Sequence, residues 1–315
     1  MKKHLIAVGL FVSALCGWDA AAAAPQFPPI PSPMFPFGEN VEVLRDVEIG
    51  TGGGRPLRVM IARPKNPPVS PTPAVLWIHG GGWESGSHRL NPAAPLASKG
   101  YFTASIEYRL SGEAKWPAQI EDCKLAVRWL RANAAKYNVD PNRIGCWGHS
   151  AGGHLAVCLG TMGEQAALEG KGGFAGVSSR VQAVVDYCGP VDFTRGSQGI
   201  TGAVTNDAPV LVKLFGGTFK DMPDTWRNAS PIIYASAKSA PCLIVQGDKD
   251  TLVPMAQSES LFAAMKKAGA PVELIVIKNG GHGLKEAPGD PPAEPNQKAI
   301  QAAVQAFFDT HLKAK

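Results

Sequence analysis

The sequence predicts an α/β domain built on a mostly parallel, doubly covered sheet, with antiparallel strands at its amino-terminal edge and a small cap insertion. Three observations carry this expectation. From about residue 74 onward, short apolar runs bounded by turn residues alternate with segments of helical periodicity, the pattern of β-α units on a parallel sheet. Before them, the runs 41–49 and 57–63 flank a glycine-rich turn at 50–54 and read as a hairpin. The chain has 315 residues, 45% apolar and 18% charged, which is enough to bury a core for one large α/β domain.

The elements follow in order. GTGGGR at 50–55 lacks the Lys-Ser/Thr of a phosphate loop, so it is expected to be the hairpin turn. Ala74–Ile78 and Tyr101–Tyr108 read as strands, with a short helix within 91–99 between them. Pro117–Tyr137 has Ile120, Cys123, Val127, Leu130 and Ala134 on one helical face, and proline suits the first turn. Ile144–Trp147 is the next strand, followed by a buried helix over Ala151–Thr161. Further strands are expected at Val181–Cys188, Cys242–Gln246 and Val272–Ile277, and amphipathic helices at Ser258–Ala268 and Gln297–Leu312. Residues 189–231 break the alternation. They read as the cap, lying over the carboxyl ends of the strands, where open α/β sheets bind ligands.

The first residues differ from the rest. Lys2 and Lys3, the apolar run Leu5–Leu15 and the alanines 20–24 describe a signal peptide over 1–23, and with it a secreted or periplasmic bacterial protein. Residues 24–40 are proline-rich and read as a linker or strap, leaving 41–315 as the domain. Without residues 1–23 the formal charge falls from +5 to +4, since 29 bases oppose 25 acids. With no Lys/Arg run, nucleic acid is not an expected partner. No later segment is apolar enough to span a bilayer, so stable membrane insertion is not expected either. Five cysteines remain, none in a C-x-x-C pair, and each lies in an apolar segment; mostly free, buried thiols are expected. Asp207, Asp221 and Asp224 lack metal-ligand spacing, and neither a metal nor a cofactor is expected. Oligomeric state is not legible.

The chemistry starts at Gly148-His149-Ser150-Ala151-Gly152, a G-x-S-x-G sequence between an expected strand and an expected helix. A nucleophile on a sharp strand-to-helix turn takes an uncomfortable backbone conformation, and flanking glycines remove the clashes this creates. A serine hydroxyl needs a base. His282, in the glycine loop after the last strand, is the candidate. Its acid is expected from QGDKD after the preceding strand, where Asp250 is chosen and Asp248 is an alternative, with Asp192 after the strand before that as a third possibility. His79-Gly80-Gly81-Gly82-Trp83 follows another strand and places backbone N–H groups where an oxyanion would form, with the Ala151 N–H opposite. His79 is expected to brace this loop, and His88 and His311 to lie at the surface. Arg109 and Asp122 read as a structural ion pair. The aromatics Trp83, Tyr108, Phe193, Phe215, Phe219 and Trp226 fit either an acyl pocket or ordinary core packing.

HGGGW, Tyr108-Arg109-Leu110, GHSAGGH, GDKDTLVP and the final GGHG together resemble the α/β-hydrolase superfamily. More narrowly, they are similar to its bacterial feruloyl/acetyl-esterase-like carboxylesterases, relatives of the hormone-sensitive lipases. The resemblance runs from about residue 41 to the end. The lipase relatives usually carry Asp before the serine; His149 fits the feruloyl/acetyl branch better. The resemblance implies Ser150 as nucleophile, Asp250 as acid, His282 as base, and Gly81, Gly82 and Ala151 as oxyanion donors. Trp83, Tyr108 and His149 are expected to line the substrate site. The function implied is a secreted serine carboxylesterase acting on short-chain or aromatic esters, with acetyl or feruloyl esters of plant polysaccharide suggested by family analogy. Two rivals remain open: a serine peptidase of the same fold, and a non-catalytic binding protein on it.

Overall fold

In a computed structural model, residues 38–163, 165–197, 200 and 207–313 are described. The expected signal peptide and most of the proline-rich stretch lie outside the described residues. Antiparallel pairing comes first in the chain. β1 (Val41–Gly52) and β2 (Arg55–Pro64) form a hairpin closed by Gly53 and Gly54, both at positive φ, so the glycine run is a turn. β2 then pairs antiparallel with β4 (Phe102–Ile106).

Among the described residues, every remaining pairing within the eight-stranded sheet is parallel. β3 (Thr72–Ile78) lies between β4 and β5 (Val139–His149), followed by β6 (Ala183–Tyr187), β8 (Cys242–Gly247) and β9 (Val272–Ile277). The order across the eight-stranded sheet is β1-β2-β4-β3-β5-β6-β8-β9. A separate short strand, β7 (Thr194–Ser197), lies in the insertion.

The central strands are buried along their whole length because both faces are covered. Alternate residues serve opposite layers. Ala74, Leu76 and Ile78 face one layer, together with Ile120 and Leu125 of α1 (Ala118–Ala132), Leu155 of α3 (Ala151–Thr161) and Leu261 of α6 (Met255–Lys267). Val75 and Trp77 face the other, with Ile300, Val304, Phe307 and Phe308 of α7 (Gln297–Leu312). The period-two pattern of β3 is thus read by two helical layers, each of which removes apolar area from water.

Several expectations need adjustment. The helix expected over Pro117–Tyr137 is broken at Asn133 into α1 and α2 (Ala134–Tyr137). β5 starts at Val139, well before Ile144, because Val139 pairs with Thr72 across a register shift. The short helix expected within 91–99 is present as a 3₁₀ helix over Ala94–Lys99. His88 is buried, not exposed: its Nε2 lies 2.8 Å from the Asp46 carboxylate. Asp46 reaches it from a bulge in β1, where its own φ is +52°. His311 is half-buried against Phe307.

The insertion between β6 and β8 also carries α4 (Pro209–Phe215) and α5 (Pro223–Asn228). It leans on the loop after β3. Lys213 pairs with Glu84 at 2.9 Å, and Val210 packs at Gly82. The five cysteines after the first 37 residues are free and buried, as expected.

Candidate active site

Parallel pairing places the carboxyl ends of β3, β5, β6, β8 and β9 side by side, so residues far apart in the chain meet at one edge. Ser150 follows β5 and opens α3 with φ +57° and ψ −121°, a conformation rare for a residue with a side chain. The surroundings hold it there. Its N–H donates to the Tyr187 carbonyl at 2.7 Å, and its carbonyl accepts the His154 N–H. The two motif glycines answer a steric demand: a Cβ on Gly148 would strike the Gly152 carbonyl, and a Cβ on Gly152 would strike the carbonyl of Ile78 in β3.

His282 reaches this serine. Its Nε2 lies 2.9 Å from Ser150 Oγ, and its Nδ1 lies 2.8 Å from Asp250 Oδ2. Asp250, not Asp248 or Asp192, is therefore the carboxylate that meets the His282 imidazole. Asp192 instead accepts from Thr194 within its own turn. Asp250 Oδ1 accepts the N–H groups of Leu252 and Val253, each at 2.9 Å, and Gln246 Nε2 donates to Oδ2 at 3.0 Å. Burial alone would raise the pKa of this carboxyl. The hydrogen bond from His282, those from the Val253 and Leu252 N–H groups and the histidine's charge outweigh it, so the pKa lies below the usual carboxylate value. The acid is thus kept ionised and aimed at the imidazole.

The glycine loop after β3 presents backbone rather than side chains. Gly81 and Gly82 both have positive φ, and a Cβ at Gly81 would collide with the Ser85 carbonyl. Ala151 is the first residue of α3, directly after Ser150, so its N–H has no partner within the helix. These three N–H groups are the expected oxyanion donors.

Of the three residues expected to line the substrate site, Trp83 and Tyr108 are buried. Trp83 is 2% exposed and packs edge-on against His154 and Phe193 in the core. Tyr108 is 1% exposed; it stacks on His79 and donates its hydroxyl to the His79 carbonyl at 3.0 Å. Both build the loop from behind. His79 does brace it, through a 2.8 Å bond from Nδ1 to the Gly80 carbonyl, and burial lowers its pKa to about 4, so it is not a proton carrier at neutral pH. His149 is half-buried, and its Nε2 lies 2.9 Å from the main-chain carbonyl of His282. Phe193, Phe215 and Trp226 are core residues. Arg109 and Asp122 form the expected ion pair at 2.8 Å.

Gln246 and Cys188 were not anticipated. Gln246 is the last side chain of β8 before Gly247, and the clue was its place in QGDKD. Cys188 has no local signal; its Sγ lies 3.4 Å from the same His282 carbonyl that His149 contacts. Among the described residues, His149, Cys188 and His282 bring ligand-type atoms within 4.8 Å of one another.

Fold and site together define an α/β-hydrolase with a Ser-His-Asp centre. A family model, BD-FAE, matches residues 60–265, and the chain belongs to the BD-FAE family. It is similar to the esterase LipQ of Mycobacterium tuberculosis (strain ATCC 25618 / H37Rv), with 32% identity over 289 residues covering 90% of this chain and 65% of LipQ. The esterase LipC of the same organism is 31% identical over 231 residues, 70% of this chain and 55% of LipC. The chain thus spans less than two thirds of the curated relatives it matches first. Among solved structures, a truncated carbohydrate esterase from gut microbiota superposes with a TM-score of 0.73 at 30% identity, covering 86% of this chain and 97% of that one. A thermophilic esterase from Thermogutta terrifontis, solved with propionate bound, gives 0.66 at 27% identity, covering 88% and 97%. No helix among the described residues is long and apolar enough to cross a membrane.

Proposed function

We propose that this chain hydrolyses carboxylic esters through an acyl-enzyme. The observation that carries the reading is the Ser150–His282–Asp250 chain, closed at 2.9 and 2.8 Å around a serine at positive φ. Ser150 Oγ attacks the ester carbonyl while His282 Nε2 accepts its proton. Asp250 holds the resulting imidazolium. The oxyanion faces the N–H groups of Gly81, Gly82 and Ala151. His282 then returns the proton to the departing alcohol. Water repeats the sequence in reverse roles and releases the carboxylic acid.

For the substrate we infer short-chain or aromatic acyl groups, with acetyl or feruloyl esters of plant polysaccharide as the natural class. The similarity to a carbohydrate esterase supports this. Residues 1–23 support export to the periplasm or beyond. Turnover of p-nitrophenyl acetate by the wild type and its loss in Ser150→Ala tests the chemistry; equal rates would refute it. Faster release from acetylated or feruloylated xylan than from triglycerides tests the substrate class. Preference for aminoacyl nitroanilides would instead support a peptidase, a reading favoured by the 26% identity to dipeptidyl aminopeptidase BIII of Pseudoxanthomonas mexicana.

A further inference from the structure

His149 stands beside the nucleophile in sequence, yet its ring touches the base from across 133 residues of chain. A carbonyl oxygen only accepts, so His149 Nε2 carries the hydrogen of this 2.9 Å bond. The second ring nitrogen then holds a lone pair if the ring is neutral. Burial lowers the pKa of His149 and favours that neutral form. The neutrality matters, because the two imidazole rings are 5.0 Å apart between centroids. A cation at His149 would oppose the positive charge that His282 must take up during proton transfer.

The surroundings fix the ring's place. Gly80 comes so close that a Cβ there would lie 2.8 Å from the His149 carbonyl and 3.2 Å from its Nδ1. The Cys188 thiol approaches the same His282 oxygen at 3.4 Å from the end of β6, where its own φ is +44°. The side-chain bonds of His282 to Ser150 and Asp250 set how the imidazole turns. They do not set where its backbone sits, in a loop that contains Gly280, Gly281 and Gly283.

We propose that His149 is a positioning residue, which ties the main chain of the base to the nucleophile elbow by its Nε2–H bond to the His282 carbonyl. Ser150 and His149 are covalently consecutive, so this bond makes one rigid turn locate both partners of the proton transfer. The inference rests on the proposed esterase reading only for its kinetic consequence; the geometry it assigns exists in the resting protein.

The test uses the full chain with His149→Leu, which keeps bulk and loses the donor, and His149→Gln, whose amide nitrogen stands as many bonds from Cβ as the imidazole Nε2. In H149L, kcat on p-nitrophenyl acetate is expected to fall by about tenfold or more with KM within about twofold, since small misplacements of reacting groups cost rate rather than binding. In H149Q most of kcat returns. The far-downfield proton resonance of His282 Nδ1–H, recorded without substrate, is expected to shift or broaden in H149L and to recover in H149Q. Unchanged kcat and resonance in H149L overturn the proposal. So does a loss that H149Q fails to restore while its melting temperature matches the wild type. If H149L does not fold, H149N takes its place with the same expectations, because its amide stops at the depth of Nδ1, short of the carbonyl. If the wild type turns over no ester, the esterase reading fails, and the resonance alone decides the role of His149.

Discussion

Two glycine-rich turns sit next to each other at the ends of β3 and β5, and they work in opposite ways. The turn after β5 puts a side chain forward: Ser150 sits at φ +57° so that its hydroxyl meets His282. The turn after β3 puts its side chains away. His79, Trp83 and the supporting Tyr108 are all buried, and the glycines between them, Gly81 and Gly82 at positive φ, carry no side chain to cover the backbone N–H groups proposed as oxyanion donors. A nucleophile must be a side chain, because the peptide nitrogen's lone pair is delocalised into its carbonyl and is not available to attack. An oxyanion is better met by peptide N–H groups, which are rigid and need no reorganisation as charge develops. Aromatic bulk beside such a loop therefore serves to stiffen it, and Trp83 is a scaffold residue even though its motif suggested substrate contact.

The sharpest way to break this contrast is at the side-chain turn. Asp250→Asn keeps the shape of the acid and removes its charge. An amide nitrogen facing His282 Nδ1 selects the wrong tautomer, so kcat for p-nitrophenyl acetate is expected to drop by about 10⁴-fold with folding intact. Stopped-flow or long-time assays measure the residual rate, and a loss of less than about tenfold would mean that the carboxylate is dispensable.

At the backbone turn a pair of variants should separate the two duties. Gly81→Ala forces a Cβ against the Ser85 carbonyl at φ +107° and is expected to cost about 10²-fold in kcat with a modest loss of stability. Trp83→Ala should do the reverse: about 3–5 kcal/mol of stability lost by denaturant unfolding, and a KM close to wild type. A large KM rise in Trp83→Ala with little destabilisation would return Trp83 to the substrate site.

The smallest effect concerns what lies beneath the elbow. Asp186 of β6 is fully buried; Oδ1 accepts the Gly189 N–H at 2.9 Å, and no partner meets Oδ2 among the described residues. Burial pushes its pKa up to about 7 from an ordinary 3.8. The native state therefore binds this proton more tightly than the unfolded chain. The associated stability is present in full below about pH 4 and is lost as the pH rises through about 7. Asp186→Asn removes that dependence. The fall in melting temperature between pH 5 and pH 8 should shrink by about 2 °C or more; an identical fall in both proteins would contradict it.

Much of the arrangement was legible because it is local. α3, β9 and α7 begin and end where period and turn residues place them, and the triad follows from a motif plus the order of loops after successive strands. What stayed hidden depends on partners distant in the chain. His149 contacts a main-chain atom, which leaves no trace in residue type. His88 reads as a surface histidine until a β-bulge brings Asp46 to it. Lys124 and Arg128 lie on α1 among its apolar residues, yet both are buried because Glu169, in the segment after α3, folds over and pairs with them. Helical periodicity cannot see such a cover, nor the break at Asn133, where the apolar spacing continues undisturbed.

The central claim is that His282 makes Ser150 the one strongly nucleophilic hydroxyl of the chain. Labelling the full chain with a fluorophosphonate, then locating the adduct by mass spectrometry in wild type and in His282→Ala, tests it directly. A single adduct on Ser150 in the wild type, slowed by orders of magnitude in the variant, is the expected result. An adduct on another residue, or equal labelling of Ser150 in both proteins, would contradict it.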